Sequence, residues 1–272
     1  MPTLEKLFIY PIKSVGSIEL KKSTISEEGL HWDRKWMLVD VDGKFITQRE
    51  CPKLNLLQIQ ELEEEFLIIN NEQNFLLIPK QIYFSTEMIS IEVEIWGSKF
   101  HAEVWNPLAS EWFSDYLDRR VLLVNIIPHS RKKNTPFYPR EFHVQFSDGY
   151  PVHLVNMQSV LQIQEWCKRD IHLLQFRPNI LIDNLEAFEE DKLKSFTIGD
   201  QKFDIIKPCE RCIITTLAPG EFRFGLEPLF SLNKYRRSGN KVLFGMYAIP
   251  VPNESGKYET VGLNQDLKLE FN

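Results

Sequence analysis

Four cysteines in 272 residues are too few for a disulfide scaffold, and with no secretory leader they read as reduced thiols of a cytosol-like compartment. Long apolar runs are missing too. No stretch approaches the ~20 residues that cross a bilayer, and the chain opens directly into an amphipathic strand, so a cytoplasmic protein without a membrane anchor is expected. Basic excess is also lacking: 32 Lys and Arg stand against 38 Asp and Glu, a net charge of −6. That argues against a general nucleic-acid binder, which relies on neutralising phosphates. The single compact basic run, Arg131-Lys132-Lys133, reads as a solvated loop. What remains is an ordinary globular chain of one or two domains, without internal repeats, long enough for a substantial core.

One stretch carries chemistry. Phe203 to Thr216 reads FDIIKPCERCIITT, a β-type segment in which Phe203, Ile205 and Ile206 lead in and Ile213–Thr216 lead out. Pro208 has no N–H for the ladder, so Cys209 is expected on a bulge or tight loop at an exposed strand end. Lys207 and Arg211 beside it favour its thiolate, which makes it a soft anionic ligand or a nucleophile. Three readings of the C-x-x-C pair compete. A thioredoxin-like pair needs a helix after the first cysteine, and the β-branched run after Cys212 predicts strand instead. A structural zinc needs a second ligand pair at the right spacing, and Cys51, Cys167 and the scattered histidines do not offer one. The third is a buried structural thiol.

Along the chain, strands are expected at 4–12, at Ser17–Ile25, and on either side of Asp42-Gly43, a type I′ hairpin signal. A hairpin from Leu54 to Ile78 turns at Asn70-Asn71, and Ile89, Ile91, Val93 and Ile95 alternate as in a half-buried strand. Asn106-Pro107 starts a helix, 121–127 is an apolar strand, and 128–145 reads as a mobile loop. Asn156 caps a helix through Lys168 whose apolar face includes Cys167, a core residue without assigned chemistry. The strand at 180–182 follows, and Gly199-Asp200 turns into the central segment. Leu226–Arg237 is expected as helix, Leu243–Ala248 as a strand with close approach at Gly245, and Val261–Phe271 as a final strand.

In order, YPIKS at 10–14, DRKW at 33–36 and TQRE at 47–50, then FSDGYP at 146–151, FRPNI at 176–180, KPCERCIITT at 207–216 and FGMY at 244–247 resemble a known set of signatures. The family is that of the molybdenum-cofactor sulfurase C-terminal (MOSC) domain with its associated N-terminal β-barrel domain. In layout the chain is similar to YcbX-type proteins and the mitochondrial amidoxime-reducing component. The resemblance implies a mainly β fold with a few helices, an N-terminal β-barrel-like domain at 1–105 and a MOSC β-barrel domain at 106–272.

It further implies that Cys209 is the protein ligand to the molybdenum of a molybdenum–molybdopterin cofactor. The cofactor's cradle would comprise Lys13, Ser14, Arg34, Gly149, Tyr150, Arg177, Asn179 and Tyr247, with Lys207 or Arg211 supporting the thiolate and Arg49 fitting the same pattern. Asp148 either orients substrate or relays a proton near the metal, or else bonds its own turn. Cys212 reads as a core thiol, or else as a neighbour supporting Cys209.

The implied activity is molybdenum-dependent reduction of N-hydroxylated compounds such as hydroxylamines, amidoximes and N-hydroxylated bases. The alternative is a non-catalytic carrier of cofactor or sulfur. Unlike YcbX-type relatives, the chain has no cysteine after Cys212 for an iron–sulfur cluster, so an external electron-transfer partner is expected, a reductase with a haem or iron–sulfur carrier. Neither nucleic acid nor membrane is expected as a partner.

Overall fold

Strands Val152–Asn156 and Ile180–Asp183 are apolar at consecutive positions, which requires cover on both of their faces. The computed structural model, which describes residues 1–81 and 88–272, supplies it. Leu154, Ile180 and Ile182 face one cluster with Leu4, Leu7, Phe196 and Phe203. Val155 and Leu181 face the opposite one, where the helix Met157–Cys167 lays down Val160 and Ile163.

The protein is mainly β with three α-helices among the described residues. Its largest sheet runs Ile18–Leu20, Thr3–Ile9, Ile180–Asp183, Val152–Asn156, Lys241–Val251, Gln201–Glu210, Leu193–Ile198, Leu267–Phe271. A second sheet orders Trp36–Val39, Leu122–Ile126, Ser98–Val104 and Ser90–Ile95. Its Trp36 and Leu38, with Phe66, Phe113 and Leu123, fill a separate core. Dividing the chain between residues 105 and 106 would cut this sheet, because Ala102–Val104 pair directly with Val124–Ile126. The first strand, Thr3–Ile9, in turn pairs with Ile180–Asp183.

Helix starts follow their caps. Asn106 accepts from the backbone N–H groups of Leu108 and Ala109, and Asn156 from that of Gln158. The third helix, Leu229–Tyr235, is shorter than the expected 226–237.

Several other elements differ from expectation. Residues 128–145 are not a loop: Lys132–Thr135 and Tyr138–His143 form a hairpin. Arg131, expected in solvent, is buried, and its Nη1 donates to the carbonyls of Gln145 (2.8 Å) and Ser147 (2.5 Å). At Asp42-Gly43 only Gly43 takes a positive φ, so the turn is not type I′. Asp40 Oδ1 accepts from Asp42 and Lys44 N–H, widening it, and Lys44 and Phe45 form single bridges rather than a strand.

The segment 17–25 splits into Ile18–Leu20 and Lys22–Ser26, which join different sheets. The final segment likewise splits at a turn into Thr260–Gly262 and Leu267–Phe271. In each case one predicted strand serves two partners whose edges lie apart, so the chain must break between them.

Candidate functional site

The ladder between Gln201–Glu210 and Lys241–Val251 slips between Pro208 and Glu210, so Cys209 sits in a bulge, as the missing N–H of Pro208 leads one to expect. The residue is 3% exposed rather than on an exposed loop, yet it lines a pocket of about 440 Å³. Arg211 forks around it: Nη1 donates to the Cys209 sulfur at 2.9 Å and Nη2 to the Phe176 carbonyl at 2.7 Å.

The run Ile213–Thr216 is a 3-10 turn and not the expected strand. The hydroxyls of Thr215 and Thr216 donate back to the carbonyls of Cys212 and Ile213, which satisfies the turn locally. Cys209 nonetheless stays in a strand bulge, so no helix-capped thiol pair forms. Cys212 departs from the core reading. It is half-buried, lines the same pocket, and its sulfur accepts from Arg49 Nη2 at 3.1 Å.

Several other segments reach this pocket. Beyond the first strand, the Lys13 N–H donates to the Trp36 carbonyl, which anchors Lys13 and Ser14. Arg34 pairs with buried Asp33 and stacks on the Tyr10 ring at 4.3 Å; Arg177 stacks on the same ring at 4.1 Å. Burial, and then the neighbouring charge of Arg34, push Arg177 down to about 10. Both arginines have positive φ, and the Arg34 N–H is held by the Tyr10 carbonyl, the Arg177 N–H by that of Leu174.

Asn179 lines the pocket too, but its amide is engaged elsewhere. Its Oδ1 accepts from the His153 N–H and its Nδ2 donates to the Phe8 carbonyl, so it clamps two strands together.

Asp148 and Lys13 form an ion pair. Burial lowers the Lys13 amine to about 8 against the opposing pull of Asp148. Burial pushes the Asp148 carboxyl up, but the Lys13 charge and hydrogen bond, the Trp96 indole N–H at 3.2 Å and the charge of Arg49 outweigh it and hold it well below the usual range. Among the described residues its carboxylate bonds Lys13 and Trp96 and not the backbone of its own turn, so the turn-bonding alternative is not what the structure shows.

Tyr150 stacks on Tyr247 (4.8 Å), and Lys207 lies 5.7 Å from the Tyr150 ring while its Nζ donates to Glu210. Gly149 abuts Tyr247, but an added Cβ would make ordinary contact at 3.8 Å.

The pocket thus gathers every expected site residue: Cys209, Asp148, Lys13, Ser14, Arg34, Gly149, Tyr150, Arg177, Asn179, Lys207 and Tyr247. Arg49, Trp96, His153 and Arg211 join them. Trp96 in a hairpin turn and His153 inside an apolar strand are pocket residues that the sequence signatures do not include. Six cationic side chains (Lys13, Arg34, Arg49, Arg177, Lys207, Arg211) face two carboxylates, Asp148 and Glu210, in a protein of net charge −6. A roomier cleft of about 850 Å³ beside the helix Pro107–Leu117 has the opposite character, with Lys53 against Glu72, Asp115 and Asp118.

The description "MOSC N-terminal beta barrel domain" matches residues 1–120, and "MOSC domain" matches residues 141–262. The chain is 29% identical over 266 residues to mitochondrial amidoxime reducing component 2 of Rattus norvegicus, covering 90% of this chain and 78% of that protein. It is 27% identical over 248 residues to mitochondrial amidoxime-reducing component 1 of Danio rerio, covering 87% and 75%. Molybdenum cofactor sulfurase of Oryza sativa subsp. japonica is 25% identical over 277 residues; the match covers 95% of this chain and 34% of that longer protein. Among solved structures, the YUAD protein of Bacillus subtilis aligns over 100% of this chain and 97% of its own, with 8% identity and a TM-score of 0.43. With the two family models matching residues 1–120 and 141–262 on a β-rich fold, the chain belongs to the MOSC proteins, an MOSC N-terminal β-barrel domain followed by a MOSC domain.

Proposed function

We propose that this protein is a molybdenum-cofactor-dependent reductase of N-hydroxylated compounds that draws electrons from an external carrier protein. The observation that supports it most is Cys209, a sulfur opening onto a cationic pocket with an arginine at 2.9 Å. A soft thiolate suits molybdenum already held by dithiolene sulfurs, and Arg211 stabilises that thiolate. Once bound, the cofactor supplies a two-electron centre able to take oxygen from N–OH.

The residues present fit it. Arg34 and Arg177 are half-buried cations stacked on one tyrosine ring with Arg34 alone paired to Asp33, so the pair carries net positive charge that an anionic phosphate suits and arginine forks can grip. Arg49 Nη1, Arg211 Nε, His153 Nε2 and Ser147 Oγ line the same pocket as buried polar atoms without a protein partner, which leaves hydrogen-bonding capacity for a polar pterin. Tyr150 and Tyr247 offer an aromatic wall.

Asp148 fixes Lys13. With a pKa of about 8, Lys13 is still a cation near neutral pH and can hold an anionic group in the pocket. All four cysteines are free, in keeping with a reducing, cytoplasmic setting. No helix of the described residues is long and apolar enough to cross a membrane.

The test is elemental analysis of protein from a cofactor-competent host, with benzamidoxime reduction assayed using an artificial donor. One molybdenum per chain and turnover are expected, both abolished in Cys209→Ser. A fully loaded protein that reduces no N-hydroxylated substrate would instead be a carrier of cofactor or sulfur. Molybdenum retained by Cys209→Ser would remove the ligand assignment.

A further inference from the structure

Away from the pocket, three potential metal ligands converge from three segments: Glu27 in the turn after Lys22–Ser26, His129 in the loop after Leu122–Ile126, and His143 at the end of its strand. Their ligand atoms all lie within 4.8 Å of one another. Glu27 Oε1 is 2.9 Å from His143 Nδ1, and Glu27 Oε2 is 3.7 Å from His129 Nδ1. The two imidazoles meet edge to face, centroids 4.9 Å apart at 80°.

An imidazole–carboxylate pair is the ordinary explanation of such a cluster, and it accounts for at most one of the two imidazoles here. His143 Nδ1 is a buried atom with no assigned hydrogen bond, and the Glu27 carboxylate 2.9 Å away pairs with it only when the imidazole is charged. His129 is beyond hydrogen-bond distance of Glu27. One ligand atom from each residue thus lies within 4.8 Å of the other two, close enough to surround a common point. Tetrahedral zinc, with bonds of ~2.1 Å, spaces its ligand atoms by roughly 3.4 Å, inside the 4.8 Å bound that holds for all three. Glu28 helps to fix the geometry, since its Oε1 accepts from the backbone N–H of His129 at 3.1 Å.

We infer that Glu27, His129 and His143 form a binding site for a divalent transition metal of the zinc class, with water completing the coordination. Two imidazoles and a carboxylate are the donor set that such an ion favours over calcium or magnesium. The site has a place to act. His143 ends the hairpin whose Lys133 donates to the Asp148 carbonyl at 3.0 Å and whose Thr135 accepts from the Tyr150 hydroxyl at 3.2 Å. A metal there would clip this shoulder of the pocket to the Glu27 turn.

Zinc titration calorimetry on the cofactor-loaded protein tests it, with cobalt absorption to identify the ligands and thermal melting as a second readout. One zinc equivalent with a nitrogen–oxygen cobalt spectrum and a zinc-dependent rise in Tm are expected. Loss of a direct ligand in His143→Ala or Glu27→Gln is expected to weaken binding beyond the ~10–100-fold typical of supporting residues. The exposed His101→Ala is expected to bind like wild type. The site is overturned if His143→Ala binds zinc as wild type does, if cobalt shows thiolate charge transfer, or if wild type binds no zinc.

Discussion

Arg211 touches two things at once, the Cys209 sulfur and the Phe176 carbonyl, and a lysine cannot span both. Arg211→Lys keeps the charge and loses the fork; we expect a fall of about 10–100-fold in turnover with lower molybdenum content, checked by steady-state assay beside elemental analysis. Lys13 gives a pH signature. Its folded pKa of about 8 means that the free protein loses this cation as pH rises, so affinity for an anionic ligand should drop by about tenfold between pH 7 and pH 9. Asp148→Asn removes the carboxylate that opposes the burial effect, which moves that midpoint to lower pH. Cofactor retention after dialysis across pH reads both, and an unmoved midpoint in Asp148→Asn would sever the coupling. Lys13 and Asp148 could each be singled out from YPIKS and FSDGYP, but their pairing across 135 positions could not.

Two elements depend on single positions. Gly245 has φ of +73°, and a Cβ there would stand 2.4 Å from His153 Nε2 and 2.9 Å from the Leu154 carbonyl. Gly245→Ala is therefore expected to cost on the order of 1–3 kcal/mol in denaturant unfolding and to disturb His153, which lines the pocket. The close approach was legible from the glycine within an apolar strand; its contact with His153 was not.

The second position is Glu190, buried in a 3-10 turn, where it accepts from Ser159 Oγ and Asn156 Nδ2. Burial raises its carboxyl to about 7. The folded state thus holds a proton that the unfolded state releases near 4.5, and stability present below that value is lost as pH rises towards 7, by about 3 kcal/mol. Glu190→Gln, which needs no proton, is expected to flatten the stability–pH curve over that window. A slope unchanged in the variant would assign it to other groups.

At the scale of the whole molecule, the two halves are sewn together. Thr3–Ile9 pairs with Ile180–Asp183, and Thr260–Gly262 pairs with Lys22–Thr24. A fragment of residues 1–120 would leave strand edges and apolar faces uncovered. It is expected to lack a cooperative transition by circular dichroism, whereas the full chain melts as one unit; a folded, soluble fragment would contradict this. Charge is arranged on the same scale, with cations from five separate segments opening into one pocket of an acidic protein.

Strand periodicity, the asparagine caps at 106 and 156, the proline-imposed bulge at Cys209 and the close approach at Gly245 are local matters. Neighbouring side chains and backbone sterics decide them, so sequence alone determined them. Tertiary structure decided the rest. It turned 128–145 into a hairpin, split two long strands between sheets, buried Arg131 on backbone carbonyls, and faced Cys212 towards Arg49 rather than the core. Each of these depends on a partner far along the chain. A charge or thiol is placed by whatever compensates its loss of water, and that compensation exists only once distant segments have met.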